Sequence, residues 1–595
     1  MSKIADAVSD VLPAAPSRRA VLRGGLVGSA GLAAAALLGC SSTEKPTPGG
    51  APAAAGASTG EKLLNAAVVA LNDPKLPYPF RLSEADTTPV RGGAFVHSWS
   101  LDTAGLDPTL STSTGFNSIP GTVCNQLVQW VHGAKLHPFK MEVEPELARS
   151  WESSPDGLTI TFKLPPNVKW QNKAPLNGRP FTAEDIRLVY QRDASGTSVL
   201  KDWFANVDKM TAVDATTFQV KLKRPQPDFI IPLAGREATI YPMELVDNGW
   251  LKGIKDIIGT GPYMTTEIKP GTGTKYVRNP DYWEAGKPYF DTMETKFIVD
   301  PAASLAAFRA GQTHYLHNGP AKKKESDALV ASMPGLKLNW SGQGLVGGSA
   351  IGHINMANPH WQDERVRRAM LLALDRERYS AVVTEGYGVS LRTPPWPFIF
   401  DKMPTGAEAG PYQRFAPDEA RKLLAAAGMT NFSFEYLTST NASTTTDFLV
   451  DAYKTAAGIT MQLKTLDYIA YYSQYQANKF PDTAAGYVGG YSANAWYRDF
   501  FKTGGVLNHQ NLSDPQIDTW ADQQSSELDP KKRREILRKI WDLDAEKAYH
   551  PFEQVATVSA ANAWVPGLRN ATQGNSPYAA ITEGTRYFKD SWFEK

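Results

Sequence analysis

Nine histidines are the first residues to weigh for chemistry. His314 and His317 would share one face if their segment were helical, and His132 and His137 flank an expected loop. Either pair could offer neutral imidazole to a metal ion. No Cys, Asp or Glu cluster stands beside them at ligand spacing, so no metal site is expected and the histidines are read as surface or satisfied core residues. Gly342-Gln343-Gly344-Leu345-Val346-Gly347 matches G-x-G-x-x-G by letter. A dinucleotide site needs a helix to begin there, so that amide groups face the pyrophosphate. Residues 349–356 read instead as a strand, which makes the glycines a loop between strands. Ser42-Thr43-Glu44-Lys45 fits S-x-x-K, but its surroundings could not build an oxyanion hole. G-x-S-x-G, H-E-x-x-H and C-x-x-C do not occur. These residues point away from catalysis: no enzyme activity and no cofactor are expected, with an exported hydrolase as the disfavoured alternative.

Cysteine is scarcer than histidine, and its placement says more. One of the two, Cys40, closes the stretch SRRAVLRGGLVGSAGLAAAALLGC from Ser17. A basic start, an apolar middle and a small-residue exit are the three parts of an export signal. Arg18 and Arg19, followed by Val21, Leu22 and Arg23, resemble a twin-arginine signal. Leu37-Leu38-Gly39-Cys40 resembles a bacterial lipobox, so residues 1–39 are expected to be removed and Cys40 to carry lipid; an uncleaved anchor helix is the alternative. Several acyl chains would hold firmly where a single chain binds only marginally. Residues 40–90 would then form the lipidated cysteine and a flexible tether, since 41–60 lacks the apolar content to fold. With Cys40 acylated, Cys124 has no intrachain partner and stability must come from core packing.

The rest of the chain must supply that core. It is long enough for two or three domains. A formal net charge of +1 gives no electrostatic case for nucleic acid. Residues 151–164 read as a hairpin turning at Pro155-Asp156-Gly157, with Leu158, Ile160, Phe162 and Leu164 alternating toward one buried face. Thr182 and Asp185 suit a helix N-terminus, and Phe218, Val220 and Leu222 repeat the strand pattern. A helix follows Asp363, another runs from Pro417 to Gly428, and a third opens at Asp529-Pro530. Its basic run, Lys531 to Arg534, is read as a solvated face.

Four ordered blocks carry a family resemblance. They are LARSWESSPDGLTITFKLPPNVKWQNKAPLNGRPFTAEDI from Leu147, IGTGPYMTTEIKPGTGTKYVRNPDYWEAGKPYFD from Ile258, INMANPHWQDERVRRAMLLALDRE from Ile354 and FAPDEARKLLAAAG from Phe415. Together they resemble the bacterial extracellular solute-binding proteins of family 5, the peptide/nickel type that serves ABC importers. The resemblance implies an α/β, two-lobed periplasmic-binding-protein fold with an extra subdomain in lobe I, a ligand cleft between the lobes and two crossover hinge strands. It places lobe I at 91–300 with the extra subdomain at about 135–240, lobe II at 301–544, and a return to lobe I at 545–595. It further implies capture of a peptide-like solute by hinge closure, delivery to the transmembrane subunits of an ABC permease, and a monomer facing the periplasm or cell exterior on its lipid anchor.

Scaffold blocks do not name a ligand. Peptide binders of this family often hold the ligand amine on an aspartate, in a segment matched here by GYVGGYSANAW, where Gly490 takes that place. Some hold the carboxylate on an arginine after the strand matched by Phe434–Leu437, where Thr438 to Asn441 are neutral. What is left is aromatic and neutral-polar, which suits a sugar or a neutral or longer peptide. The expected ligand residues are Trp99, Ser100, Asn355, Trp396, Tyr487, Gly490, Tyr491, Asn494 and Trp496, with Trp361 and Ser492 beside them. The family's common use makes a peptide the expected solute, and the missing charged anchors favour the alternative, an oligosaccharide or other neutral solute.

Overall fold

The structure is a computed structural model. It describes residues 88–110, 114–132, 142–196, 198–317, 319, 323–341, 350–385, 388–392, 394–401, 404–439, 444–487, 492–552, 554–557, 559–571 and 586–594. The export signal, Cys40, His137, the 342–347 glycines, Gly490 and Tyr491 lie outside the described residues.

Two sheets organise the chain. The first has seven strands in the order Lys337–Ser341, Ser559–Trp564, Tyr315–His317, Ala94–Trp99, Thr292–Phe297, Gly273–Arg278 and Tyr263–Lys269. Its centre is the parallel pairing of Ala94–Trp99 with Thr292–Phe297. The second has four strands in the order Ala350–Ile354, Thr483–Tyr487, Ser433–Ser439 and Thr460–Leu466. The strand expected at 349–356 is present as Ala350–Ile354. The sequence reading divides the chain at 301 and 545; the sheets record only which strands pair. Tyr315–His317 and Lys337–Ser341 still belong to the first sheet, and the chain returns to it with Ser559–Trp564. Sheet membership is decided by pairings such as Tyr315 with His97 and Trp564, which local pattern does not encode.

A separate four-stranded sheet, Ser150–Ser153, Thr159–Lys163, Thr217–Leu222 and Val207–Asp214, contains the expected hairpin. Its turn follows from composition: Gly157 takes φ +67°, and Asp156 accepts hydrogen bonds from Ser154 Oγ and Leu158 N. Alternation buries Ile160, Phe162, Phe218 and Val220, each worth roughly 1.5–3 kcal/mol on leaving water. The adjoining helix Ala183–Asp193 begins where Asp185 accepts from the Thr182 backbone N–H at 2.8 Å. Asp363 and Asp529 likewise cap the helices Glu364–Ala373 and Pro530–Lys547.

Three apolar clusters form the core. One lies around the first sheet and the hairpin sheet, and one around the second sheet. A third joins Phe308, Leu316 and Leu338 from the first sheet's surroundings to Trp496, Phe500 and Trp541 from the later helices. No helix among the described residues is long and apolar enough to cross a membrane.

Candidate functional site

The strand Ala94–Trp99 sends alternate side chains to opposite faces of the first sheet. Its C-terminal end opens onto a cavity of about 590 Å³, walled also by the helices Pro301–Arg309 and Lys323–Ser332. Ser98, Ser100 and Ser304 contribute hydroxyl groups, and Ser98 Oγ lies 2.8 Å from Ser304 Oγ. Ile298, Leu305 and Leu316 supply apolar wall. Arg309 and Glu325, of opposite charge, also line it.

His317 closes the inner side of this cavity. The Trp99 ring meets it edge-on, with centroids 4.2 Å apart and planes at 85°. Burial, with a smaller contribution from His97, pushes the His317 imidazole well below its ordinary value, so it is neutral at pH 7. His317 Nε2 and Trp99 Nε1 are buried with no hydrogen-bond partner among the described residues. A buried polar atom of this kind is costly unless something binds it. The cavity therefore combines apolar surface, hydroxyls, a neutral histidine and both signs of charge, the mix that holds a small polar organic molecule.

Of the ligand residues expected from sequence, Ser100 lines this cavity and Trp99 stands against its histidine. The others are distributed differently. Trp396 and Trp496 are 4% and 1% exposed and belong to the third core cluster. Trp361 is buried and donates through Nε1 to Asp482 at 2.6 Å. Asn355 spends its side chain locally: Nδ2 donates to Phe480 O, and Oδ1 accepts from Ala357 N and Asn511 Nδ2. Ser492 caps the short helix Ala493–Tyr497. Asn494 is committed to Asp228 and Gln524. Tyr487 ends the strand Thr483–Tyr487, and its side chain lies outside the described residues. An aromatic or amide next to a strand end looks the same in sequence whether it faces a cleft or the interior.

Arg309, Glu325 and His317 were not among the expected ligand residues, and the first two carry charge that 438–441 and 490 lack. Nothing in their spacing marks them; the sheet and two separate helices bring them together. The histidine pairs also resolve differently. His317 lies in a strand, so His314 and His317 share no helix face, and His314 Nδ1 accepts from Val96 N. His132 is held by Asp590 and Glu144 at 3.0 and 3.1 Å. Among the described residues no group of three or more His, Cys, Asp or Glu could hold a metal ion.

The chain belongs to the bacterial extracellular solute-binding proteins, family 5, whose model matches residues 142–508. A protein of Brucella ovis, provisionally named an ABC transporter peptide-binding protein, is 29% identical over 317 residues, 51% of this chain and 55% of that protein. The chain thus matches little more than half the length of such curated relatives. Among solved structures, the periplasmic binding protein DppA of Helicobacter pylori, in complex with the peptide STSA, superposes with a TM-score of 0.68 at 19% identity, covering 85% of this chain and 99% of that one. AgaA of A. tumefaciens R10, in complex with agropinic acid, gives 0.68 at 20% identity over 84% and 99%. The fold is therefore the two-lobed α/β fold of periplasmic binding proteins.

Proposed function

We propose that the protein is the solute-capturing component of an ABC importer for peptide-like solutes. It is exported, anchored through lipid on Cys40, and it hands its cargo unchanged to a membrane permease. The observation that carries the choice of solute is the cavity at the end of Ala94–Trp99, where Arg309 and Glu325 flank hydroxyls and a neutral His317. A zwitterionic or polar peptide needs both signs of charge within reach, because desolvating an unpaired charge costs several kcal/mol. Family membership supports the transport role, and the relatives named for peptides support the solute class. Binding and closure require no bond to be made or broken; the closed form gains only what the solute prefers in it. A neutral oligosaccharide is the second reading, favoured by the uncharged strand end Leu437-Thr438-Ser439.

Calorimetry of the intact protein with tri- and tetrapeptides against cello- and malto-oligosaccharides decides between them. Peptide binding near micromolar, about 8 kcal/mol, weakened at least tenfold by Arg309→Gln and with the peptide recovered intact, is the expected result. Sugar binding without peptide binding would establish the second reading. Turnover of either probe would refute transport.

A further inference from the structure

The basic run at 531–534 is not the uniformly solvated face its composition suggests. Lys531, Lys532 and Arg534 are exposed, but Arg533 turns inward and only 14% of its side chain reaches solvent. It lies 3.1 Å from the carboxylate of Asp228, which is 2% exposed. Asp228 belongs to the segment after the hairpin sheet; its neighbours Phe229 and Leu233 are part of the first core cluster. Arg533 belongs to a helix that packs in the third cluster. The ion pair therefore joins the edge of the first core cluster to a helix of the third.

Two further residues complete the contact. Asp228 Oδ2 accepts from the Asn494 backbone N–H at 3.0 Å, and Oδ1 accepts from Asn494 Nδ2 at 2.8 Å. Gln524 Nε2 donates to Asn494 Oδ1 at 2.9 Å. Gln524 Oε1 accepts from Arg533 Nε and Nη2 at 3.1 and 2.9 Å. Asp228, Asn494, Gln524 and Arg533 thus form a closed ring of bonds. Nearby, Arg224 donates to Ser525 Oγ at 3.2 Å, and Leu528 lies so close over the hairpin turn that a Cβ on Gly157 would come within 2.9 Å of it. A gap of about 30 Å³ lies beside Asn494, lined by Trp203, Phe229 and Arg498.

We propose that Asp228, Asn494 and Arg533 form a releasable latch between the hairpin-bearing half and the helices Ala493–Tyr497, Pro515–Ser526 and Pro530–Lys547. The chemistry suits release. Two buried charges gain attraction and lose hydration in nearly equal measure, so the pair is close to balanced between made and broken. Each partner is satisfied by water when the halves part, whereas an apolar seam of the same area would resist parting. The bidentate fit of Asn494 and the fork of Arg533 on Gln524 make the contact specific to one arrangement of the halves. The latch acts through the closure equilibrium and does not touch the solute. It rests on the reading that the two halves close around a cargo.

Hydrogen–deuterium exchange on the ligand-free full chain tests it. Asp228→Asn keeps the shape but removes the charge that Arg533 needs. Peptides covering 226–234 and 492–499 are expected to exchange about tenfold faster or more, with 150–163 unchanged. Asn494→Asp sets a second carboxylate against Asp228 and should do the same. The double variant Asp228→Asn with Asn494→Asp restores one carboxylate and one amide and should recover slow exchange in part. Unchanged exchange in both single variants would overturn the latch. So would acceleration across the whole molecule, or a double variant as fast as the sum of the singles. No solute is used, so a failure to find peptide binding refutes the transport reading separately and leaves this result standing.

Discussion

Alkaline pH should loosen the C-terminal segment at 586–594, and the cause is a single histidine. His132 Nε2 lies 3.0 Å from Asp590, and Nδ1 lies 3.1 Å from Glu144. Asp590 also meets Lys287 at 2.6 Å, and the buried Lys589 meets Glu284 at 2.5 Å. Burial alone would lower the His132 value, but hydrogen bonds and charge from Asp590 and Glu144 override it and raise it from 6.5 to about 9. A raised value means the folded state holds its proton more tightly, so the stabilisation is fully present below about pH 6.5 and is lost as pH rises through about 9. At roughly 1.4 kcal/mol for each tenfold change in proton affinity, that interval corresponds to about 3 kcal/mol. The acid side has the opposite sign. Burial opposes ionisation of Glu284, but Lys589 and Lys287 hold it down from 4.5 to about 2, so its contribution is lost as pH falls through that range. Stability should therefore plateau between about pH 4.5 and 6.5 with respect to this network. Urea unfolding from pH 5 to 10, with His132→Gln alongside, reads the effect. The variant should be less stable by about 3 kcal/mol at pH 6 and should converge on wild type near pH 10. Parallel pH profiles for the two proteins would refute the reasoning.

Two more outcomes are expected. Trp496→Ala should lower the unfolding free energy by about 3–5 kcal/mol through loss of a buried indole; an unchanged denaturant midpoint with weaker solute binding would place the ring at the cargo instead. Cys40→Ala should move the protein from the membrane to the soluble fraction, and Arg18→Lys with Arg19→Lys should block export; membrane retention of the first or normal export of the second would count against the lipid anchor or the twin-arginine route.

Much of the scaffold was legible because it is written in local chemistry. The hairpin turn needs Gly157 at positive φ with an Asx residue before it, and the alternation of Ile160 and Phe162 specifies which face is buried. Asp185, Asp363 and Asp529 cap helices because their carboxylates reach backbone N–H groups only a few residues away. The family blocks are scaffold of this kind. Choices between distant partners were not legible. Tyr315–His317 and Lys337–Ser341 have the composition of strands in either sheet, and only their pairing with Ala94–Trp99 and Ser559–Trp564 assigns them. Trp496 and Trp99 are equally aromatic, yet one is sealed in a core cluster and the other faces a histidine at a cavity. Arg533 sits in a run of four basic residues, and its inward turn depends on Asp228, about 300 positions earlier in the chain. Local hydrogen bonds and periodicity cost little chain entropy and are set within a few residues. Burial of a ring, pairing of a charge and the lining of a cavity depend on which surfaces meet after the chain has folded, and that was decided by tertiary packing alone.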